Sequence, residues 1–442
     1  MNDYIRKNIK IEDPNVKVSQ NPFKESDYTK FKEFLKKNNL KESNVLVCYG
    51  ELTYDPPFCH MCGVKNEHTI VKDGFEVSVI QVNKNEYMVL RKQRFKCKEC
   101  GSTFVAKTNF VQEKNRFSFP FLMEVVLMLK RKMSMKDIGE MLNVSTMYVA
   151  RLLSKFKKAF KPNYNYLPPV ISIDEFKSTR DADGAMSFIM VNAETGEVLD
   201  IVEDRRLETL QEYFGRYSKK VRNNVKFVVM DMYEPYMQLT KKMFKNAEII
   251  IDKFHVVQLV NRSFNKTRIT LMKKYNTKSL EYKLLKNNWK LLLTPYENVK
   301  TNKPRYNRNL RRYITQYELL MKILEIDEEL EYAYYFYQDI YKGMNDKDMD
   351  RITNALNTVK IEKLSEYMVT SVKTLKKNIQ GIANALKYNY TNGKVEGTNN
   401  KIKVMKRVAF GYRRFDILRT RILIIQYITE TNIKKISTLN CQ

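Results

Sequence analysis

The sequence predicts a multidomain α/β protein: an N-terminal zinc ribbon, a helix-turn-helix, and a sheet-and-helix domain interrupted by a helical insertion. Three observations predict it. Two Cys-x-x-Cys pairs frame strand-like segments, the apolar period then lengthens from two to about three and a half, and strand-like runs return after a proline break. The 442 residues, with 43% hydrophobic content, suffice for two or three cores, because domains usually span about 100 to 200 residues. A formal charge of +29 and a pI near 9.6 point to a polyanionic partner, with nucleic acid foremost, since each cation placed on a phosphate releases a condensed counterion. The chain has no unbroken apolar run of about 18 residues and no charged-then-apolar start, so a cytoplasmic protein is expected.

Residues 1–45 are polar and lysine-rich, with one short helix expected from Tyr28 to Lys37, and read as a flexible basic arm. Residues 46–110 carry Cys59 and Cys62 in "FCHMCG" and, after 34 intervening residues, Cys97 and Cys100 in "FKCKECGSTF". The pairs bracket "FEVSVIQV" and "EYMVLRKQRFKC", the layout of a zinc ribbon. Two residues between thiolates let a tight knuckle set both sulfurs on one ion, and four thiolates close a structural zinc site. His60 and His68 are then surface residues, and Cys48 and Cys441 ordinary thiols.

Residues 115–162 turn helical. "MSMKDIGEMLNVSTMYVARLLSKFKK" fits a helix-turn-helix with a first helix from Met135 to Leu142, a turn at Asn143 and Val144, and a second helix capped by Ser145. Ile138, Met141, Val144, Val149 and Leu152 form the expected buried set. Thr146, Met147, Tyr148, Arg151 and Lys155 are left for a major groove, with Lys157 and Lys158 near phosphates. A plain helical hairpin uses the same spacing; the charge favours DNA.

From residue 168 the order is three strands, helix, strand, helix, strand, which is that of the ribonuclease-H-like fold. "VISIDEF" ends an apolar run at Asp174, "VKFVVMD" ends another at Asp231, and "AEIIID" ends a third at Asp252. Neighbouring carboxylates are unfavourable unless a cation neutralises them, and hard oxygen ligands suit magnesium or manganese. Glu396, after 164 intervening residues, begins a helix-like run and supplies the third acid of a two-metal site. On that helix Glu396, Asn400, Lys403 and Arg407 recur at steps of four, three and four, setting DNA-binding groups beside the metal-binding one. Gly393 and Gly397 suggest a close approach, and "KRVAFGYRRFDILRTRILII" is expected beneath the sheet with its arginines on DNA. The catalytic core therefore runs over 168–261 and 385–430, separated by an all-helical insertion over 262–384 in which Trp289 reads as core.

The chain resembles the bacterial insertion-sequence transposases of the ISL-three family through "CHMC" with "CKEC", "ISIDEFK", "VVMDMYEPY", "IDKFHVV" and "NGKVEGTNNKIKVMKRVAFGYRRF". These motifs span about Val45 to Tyr427. The resemblance implies a DDE transposase with Asp174, Asp231 and Glu396 as its metal-binding triad, acting on the terminal inverted repeats of its element and on target DNA. It implies a bacterial, nucleoid-associated protein, and concerted cutting of two ends implies a dimer or larger assembly. Asp252 and His255 match a D-x-x-H element seen in several DDE families, so His255 either assists at the scissile phosphate or simply bonds to Asp252. The rivals are a ribonuclease-H-like endonuclease or resolvase that does not join strands, and a zinc-ribbon DNA-binding regulator whose acids are structural. G-x-x-x-x-G-K, G-x-S-x-G and H-E-x-x-H are absent from the sequence, which argues against ATP-driven, serine-hydrolase and zinc-protease readings.

Overall fold

In the computed structural model, which describes residues 2–428, alternating apolar residues build an N-terminal sheet in the order β1-β2-β4-β3, with β5 on β4. Its strands are β1 (Val16–Ser19), β2 (Leu46–Leu52), β3 (Ile70–Asn83), β4 (Glu86–Cys97) and β5 (Thr103–Val105). The long β3–β4 hairpin carries the two cysteine pairs at one end, and β2 lies parallel to β4. The chain divides into two units, residues 2–161 with 402–428 and residues 162–401; Cys441 lies outside the described residues.

Residues 2–45 are not a flexible arm. They form α1 (Asn2–Asn8), β1 and α2 (Glu25–Lys37), and β1 pairs antiparallel with β2. Phe31 and Leu35 of α2 are buried with Tyr49, Tyr87 and Val89 of the sheet, and each such burial stabilises the fold by about 1.5 to 3 kcal/mol. Asp27 on the same helix is fully buried, and its Oδ1 lies 2.9 Å from Arg91 Nη1 on β4. The lysine-rich composition conceals this inner face.

Three helices follow in the same unit: α3 (Phe119–Met128), α4 (Met135–Leu142) and α5 (Thr146–Phe156). Ser134 caps α4 in a reciprocal capping box with Asp137, Asn143 ends it in the left-handed region at φ 52, and Ser145 caps α5. Gly139 is required by a close approach, because a Cβ there would lie 2.6 Å from the carbonyl oxygen of Val144. Ile138, Val149 and Leu152 are buried as expected; Met141 is exposed, and its neighbour Leu142 takes the inward position.

The second unit holds a five-stranded sheet in the order β10-β9-β6-β7-β8: β6 (Val170–Lys177), β7 (Met186–Asn192), β8 (Val198–Val202), β9 (Phe227–Met230) and β10 (Glu248–Ile251). β6, β7 and β8 run antiparallel in sequence, whereas β9 and β10 join parallel to β6. Ile171, Ile173, Phe188, Val228 and Met230 share a core with residues of α6 (Leu207–Gly215) and α8 (Glu234–Met243); α7 (Lys219–Asn223) connects α6 to β9. Val170, Val229 and Ile250, on the opposite parity, pack with Ala385.

The segment after β10 opens with α9 (Lys253–Lys274), a 22-residue helix that runs unbroken through the boundary expected at 261. It packs with α10 (Leu280–Asn287), α11 (Trp289–Leu292), α12 (Gln316–Leu324), α13 (Glu328–Asp346), α14 (Met349–Thr358), α15 (Glu366–Lys377) and α16 (Ile379–Lys387) into a core continuous with that of the sheet's first face. Two expectations change here. The insertion is not all-helical, because Arg305–Asn307 and Arg312–Ile314 form an antiparallel hairpin, and Trp289 is exposed beside Lys290 rather than in the core.

α17 (Gly393–Val408) spans the division between the units, and α18 (Phe415–Tyr427) follows it. The run "FDILRTRILII", expected beneath the second sheet, belongs to the first unit. α18 packs against α5, and its fully buried Arg421 donates from Nη2 to the carbonyl oxygens of Arg131, at 2.9 Å, and Met133, at 3.1 Å. Nη2 is bonded, whereas Nε and Nη1 are buried without a hydrogen-bond partner, a burial of charge that a run of alternating arginines and isoleucines does not announce.

Replacing Asp27 with Ala leaves Arg91 buried beside Glu51 alone, 3.5 Å away. Denaturant melts of Asp27→Ala should show a loss of about 3 kcal/mol in this unit. A loss under about 1 kcal/mol would mean that Glu51 suffices.

Candidate metal centres and active site

The first centre is made by two equivalent knuckles. The Cys59 N–H donates to Val64 O and the Gly63 N–H to Cys59 O; the Cys97 N–H donates to Ser102 O and the Gly101 N–H to Cys97 O. Gly63 and Gly101, at φ 74 and 72, take the left-handed turn that each knuckle needs. All four sulfurs lie within 4.8 Å of one another, with Cys59–Cys100 and Cys62–Cys97 each 3.8 Å apart. Zinc–sulfur bonds of about 2.3 Å set the sulfurs of a tetrahedron about 3.8 Å apart, so the donor set fits zinc. The backbone N–H groups of Cys62 and Met61 hold the Cys59 thiol down to about 6, which favours the thiolate that a metal requires. His60 is exposed and packs edge-on between Phe58 and Phe104, outside the ligand group.

The second centre lies at one end of the β10-β9-β6 ladder. The parallel register pairs Val170 with Phe227, Ile171 with Val228 and Ser172 with Val229. Asp174 lies two residues beyond the last paired residue of β6 and Asp231 directly follows β9, close enough for the charge of Asp231 to act on Asp174, although neither joins the group of Asp252, His255 and Glu396 whose ligand atoms lie within 4.8 Å of one another. Asp174 does not end its strand as expected: β6 continues to Lys177 along β7 and leaves β9 behind after Ser172. Burial lifts the Asp174 carboxyl to about 6, and the charge of Asp231 adds to the lift; the Glu175 N–H, donating to Oδ1 at 2.8 Å, opposes it.

His255, one turn into α9, places Nδ1 2.9 Å from Asp231 Oδ1 and 3.6 Å from Asp252 Oδ2. Those two carboxylates, Asp231 first, raise the pKa of the imidazole against the effect of burial, although the angle at Nδ1 leaves it without a well-formed hydrogen bond. Asp252 is buried and caps α9, accepting from the Phe254 N–H at 3.3 Å. Glu396 comes to this group from α17: its carboxylate, Asp252 and His255 have ligand atoms within 4.8 Å of one another. The expectation of a carboxylate site without histidine is thereby amended, because His255 sits directly against Asp231.

Two asparagines that spacing did not single out complete the site. Asn399, buried on α17, donates from Nδ2 to Asp174 Oδ2 at 2.7 Å and to the Glu175 carbonyl at 3.2 Å. Asn392, also buried, donates to Asp231 Oδ1 at 3.4 Å, and its own carbonyl accepts the Glu396 N–H. Each keeps a buried amide oxygen with no hydrogen-bond partner, a group suited to a cation or water. Asn400, chosen from the sequence at four residues from Glu396, is exposed instead, as are Lys403 and Arg407. A step of three, equally helical, finds Asn399. A Cβ at Gly397 would meet nothing within 4 Å, so packing within the protein does not demand that glycine. The start of α17 is fixed to the turn between β7 and β8, where Lys394 bonds to the Glu194 carbonyl.

Of the residues assigned to DNA on α5, Thr146, Arg151 and Lys155 are exposed. Tyr148 differs: its ring packs 4.0 Å from that of Phe117 and its hydroxyl is buried, with burial pushing its pKa up to about 12.

The four thiols form a group that could hold zinc, and Asp252, His255 and Glu396 form a second group that could hold a metal ion. A family profile described as "Transposase" matches residues 171–422, more than half of the chain. The chain belongs to this ISL-three family of transposases. It is similar to a Bordetella parapertussis protein named "Transposase for insertion sequence element IS1001", with 23% identity over 388 residues, 83% of this chain and 88% of that one. It is also similar to a Lactococcus lactis subsp. lactis protein named "ATP-dependent protease", with 24% identity over 345 residues, 77% of this chain and 94% of that one.

Native mass spectrometry should find one zinc per chain, and a strong chelator should open the knuckles to proteolysis between residues 53 and 70. A zinc-free protein with four reduced thiols would overturn the assignment. The second centre gives a pH signature in chelator. A carboxyl raised from 3.8 to about 6 by folding holds its proton in the native state after the unfolded chain has lost it. Stability therefore falls as pH rises through that window. Asp174→Asn removes this dependence, so its stability relative to wild type should be greater at pH 8 than at pH 5 by on the order of 1 to 2 kcal/mol. Parallel pH profiles would show that Asp174 is ionised throughout.

Proposed function

We propose that the protein is a DNA transposase that binds the inverted-repeat ends of its insertion sequence and catalyses strand cleavage and strand transfer. Asp174, Asp231 and Glu396 would hold magnesium or manganese. What carries this reading is the meeting of three distant segments at one end of the second sheet. The charge of Asp231 acts on Asp174, and Glu396 reaches Asp252 and His255, the latter already against Asp231. The sheet order β10-β9-β6-β7-β8, with β6, β7 and β8 antiparallel and β9 and β10 parallel to β6, supports a ribonuclease-H-like core.

When bound, the two ions supply a means of activating water or a 3′-hydroxyl and of stabilising the leaving oxygen. The protein's own groups do the positioning. Asn399 and the Glu175 N–H hold the Asp174 carboxylate, while Asn392 bonds to that of Asp231 and the His255 ring lies against it. The α4–α5 pair is read as the helix-turn-helix, with Thr146, Arg151 and Lys155 towards the major groove of double-stranded DNA and Tyr148 packing on Phe117. Asn400, Lys403 and Arg407, exposed on α17, are assigned to DNA backbone. Two ends cut in concert call for a dimer or larger assembly on DNA. The name of the Lactococcus relative does not transfer, because G-x-x-x-x-G-K and the hydrolase motifs that proteolysis would need are missing from this sequence.

Glu396→Gln keeps size and hydrogen bonding but removes the charge. Magnesium-dependent cleavage of end DNA should fall by at least about a hundredfold, with gel-shift affinity retained. Lys403→Ala should weaken DNA positioning and slow cleavage without abolishing it. Near-normal cleavage by Glu396→Gln would make that glutamate a helix-surface residue and remove the three-acid mechanism.

A further inference from the structure

The hairpin of residues 305–314 in the second unit has no part in the site described above. Its register pairs Arg305 with Ile314, Tyr306 with Tyr313 and Asn307 with Arg312. Directly paired residues project to one face, so Tyr306 and Tyr313 stand together, with ring centroids 5.5 Å apart and planes at 63°. On the opposite face Ile314 is buried, which fixes the hairpin to the body of the unit and turns the tyrosine face outward. Tyr306 is 55% and Tyr313 73% exposed. An aromatic pair needs that much solvent neither to hold a hairpin together nor to finish a core.

The charge around the pair is of one sign. Between Glu297 and Glu318 the chain has no acid and six cations: Lys300, Lys303, Arg305, Arg308, Arg311 and Arg312. All six are exposed, and none forms an ion pair with a described acid. Arg308 and Arg311 sit in the connection at the tip. Arg312 acts on Glu318, and Arg305 and Arg312 share the Ile314 face. The tip cations Arg308 and Arg311, beside two outward aromatic faces, match a polyanion whose units also offer flat π surfaces. Nucleic acid with unpaired bases has that chemistry: phosphates for the arginines and base faces for the tyrosines. An intact duplex offers only the phosphates, because its bases are stacked on one another.

We propose that this hairpin is a binding site for single-stranded DNA, or for unpaired strand within a duplex, in which Tyr306 and Tyr313 stack on bases while Arg308 and Arg311 contact the backbone. The inference extends the DNA reading given above, yet it is independent of the carboxylate chemistry. Its test therefore omits divalent metal and measures binding alone.

The probe is a fluorescent oligothymidylate of about 20 nucleotides, compared with a duplex of equal length, on the full chain. Tyr306→Ala with Tyr313→Ala should weaken single-strand binding by about tenfold or more and duplex binding by less than about twofold. Tyr306→Phe with Tyr313→Phe should restore the single-strand affinity, since stacking needs the ring and not the hydroxyl. Arg308→Ala with Arg311→Ala should lower the salt slope of single-strand binding by about 1.4. The substituted side chains are exposed, so thermal melts of all variants should coincide with that of wild type. Unchanged single-strand affinity in the double alanine protein overturns the proposal, as does equal loss on both probes. Loss of neither under any of these substitutions would also overturn it, and would leave the hairpin as a surface for an acidic protein.

Discussion

A carboxyl drawn out of water beside a second acid is costly to ionise, and the groups around Asp174 answer that cost: burial raises its pKa and the charge of Asp231 adds to the rise. The Glu175 N–H and Asn399 of α17 bond to Asp174, while Asn392, just before α17, and His255 of α9 lie against Asp231. Gly381 shows how tightly this is built. A Cβ there would lie 2.7 Å from Ile251 Cγ1, so only glycine lets α16 lie on β10 and deliver the chain to α17.

The two centres resolve crowded charge in different ways. The knuckles surround four sulfurs with backbone turns and leave no position for a further ligand. At the sheet end, hydrogen bonds are given to some oxygens only, and two buried amide oxygens are left without partners. A half-satisfied polar network is costly in a core that serves stability alone, whereas under the function proposed above it keeps positions open for ions and substrate.

Much of this was legible in the sequence because it is local. Cys-x-x-Cys spacing, the capping residues Ser134 and Ser145, and apolar runs ending near Asp231 and Asp252 depend on a few consecutive residues. What escaped depends on partners far along the chain. Asp27 looks like one acid in a lysine-rich arm until Arg91 is opposite it, and Arg421 looks like a DNA contact until two carbonyls accept from it. Asn399 and Asn400 were a different difficulty. Helical spacing admits both beside Glu396, and only the rotation of α17 against β6 chooses the first. The same ambiguity exchanged Met141 for Leu142.

The packing of α18 on α5 also has a consequence for timing. A ribosome releases α5 early, but the helix that covers it is among the last described segments to emerge, 265 residues after Phe156 by the position of Arg421. At about 5 to 20 residues per second, that delay is on the order of tens of seconds. Until then α5 lacks the helix that packs on it, and the carbonyls of Arg131 and Met133 lack the guanidinium they accept from. A chain ended before Phe415 would leave that side of α5 open to water.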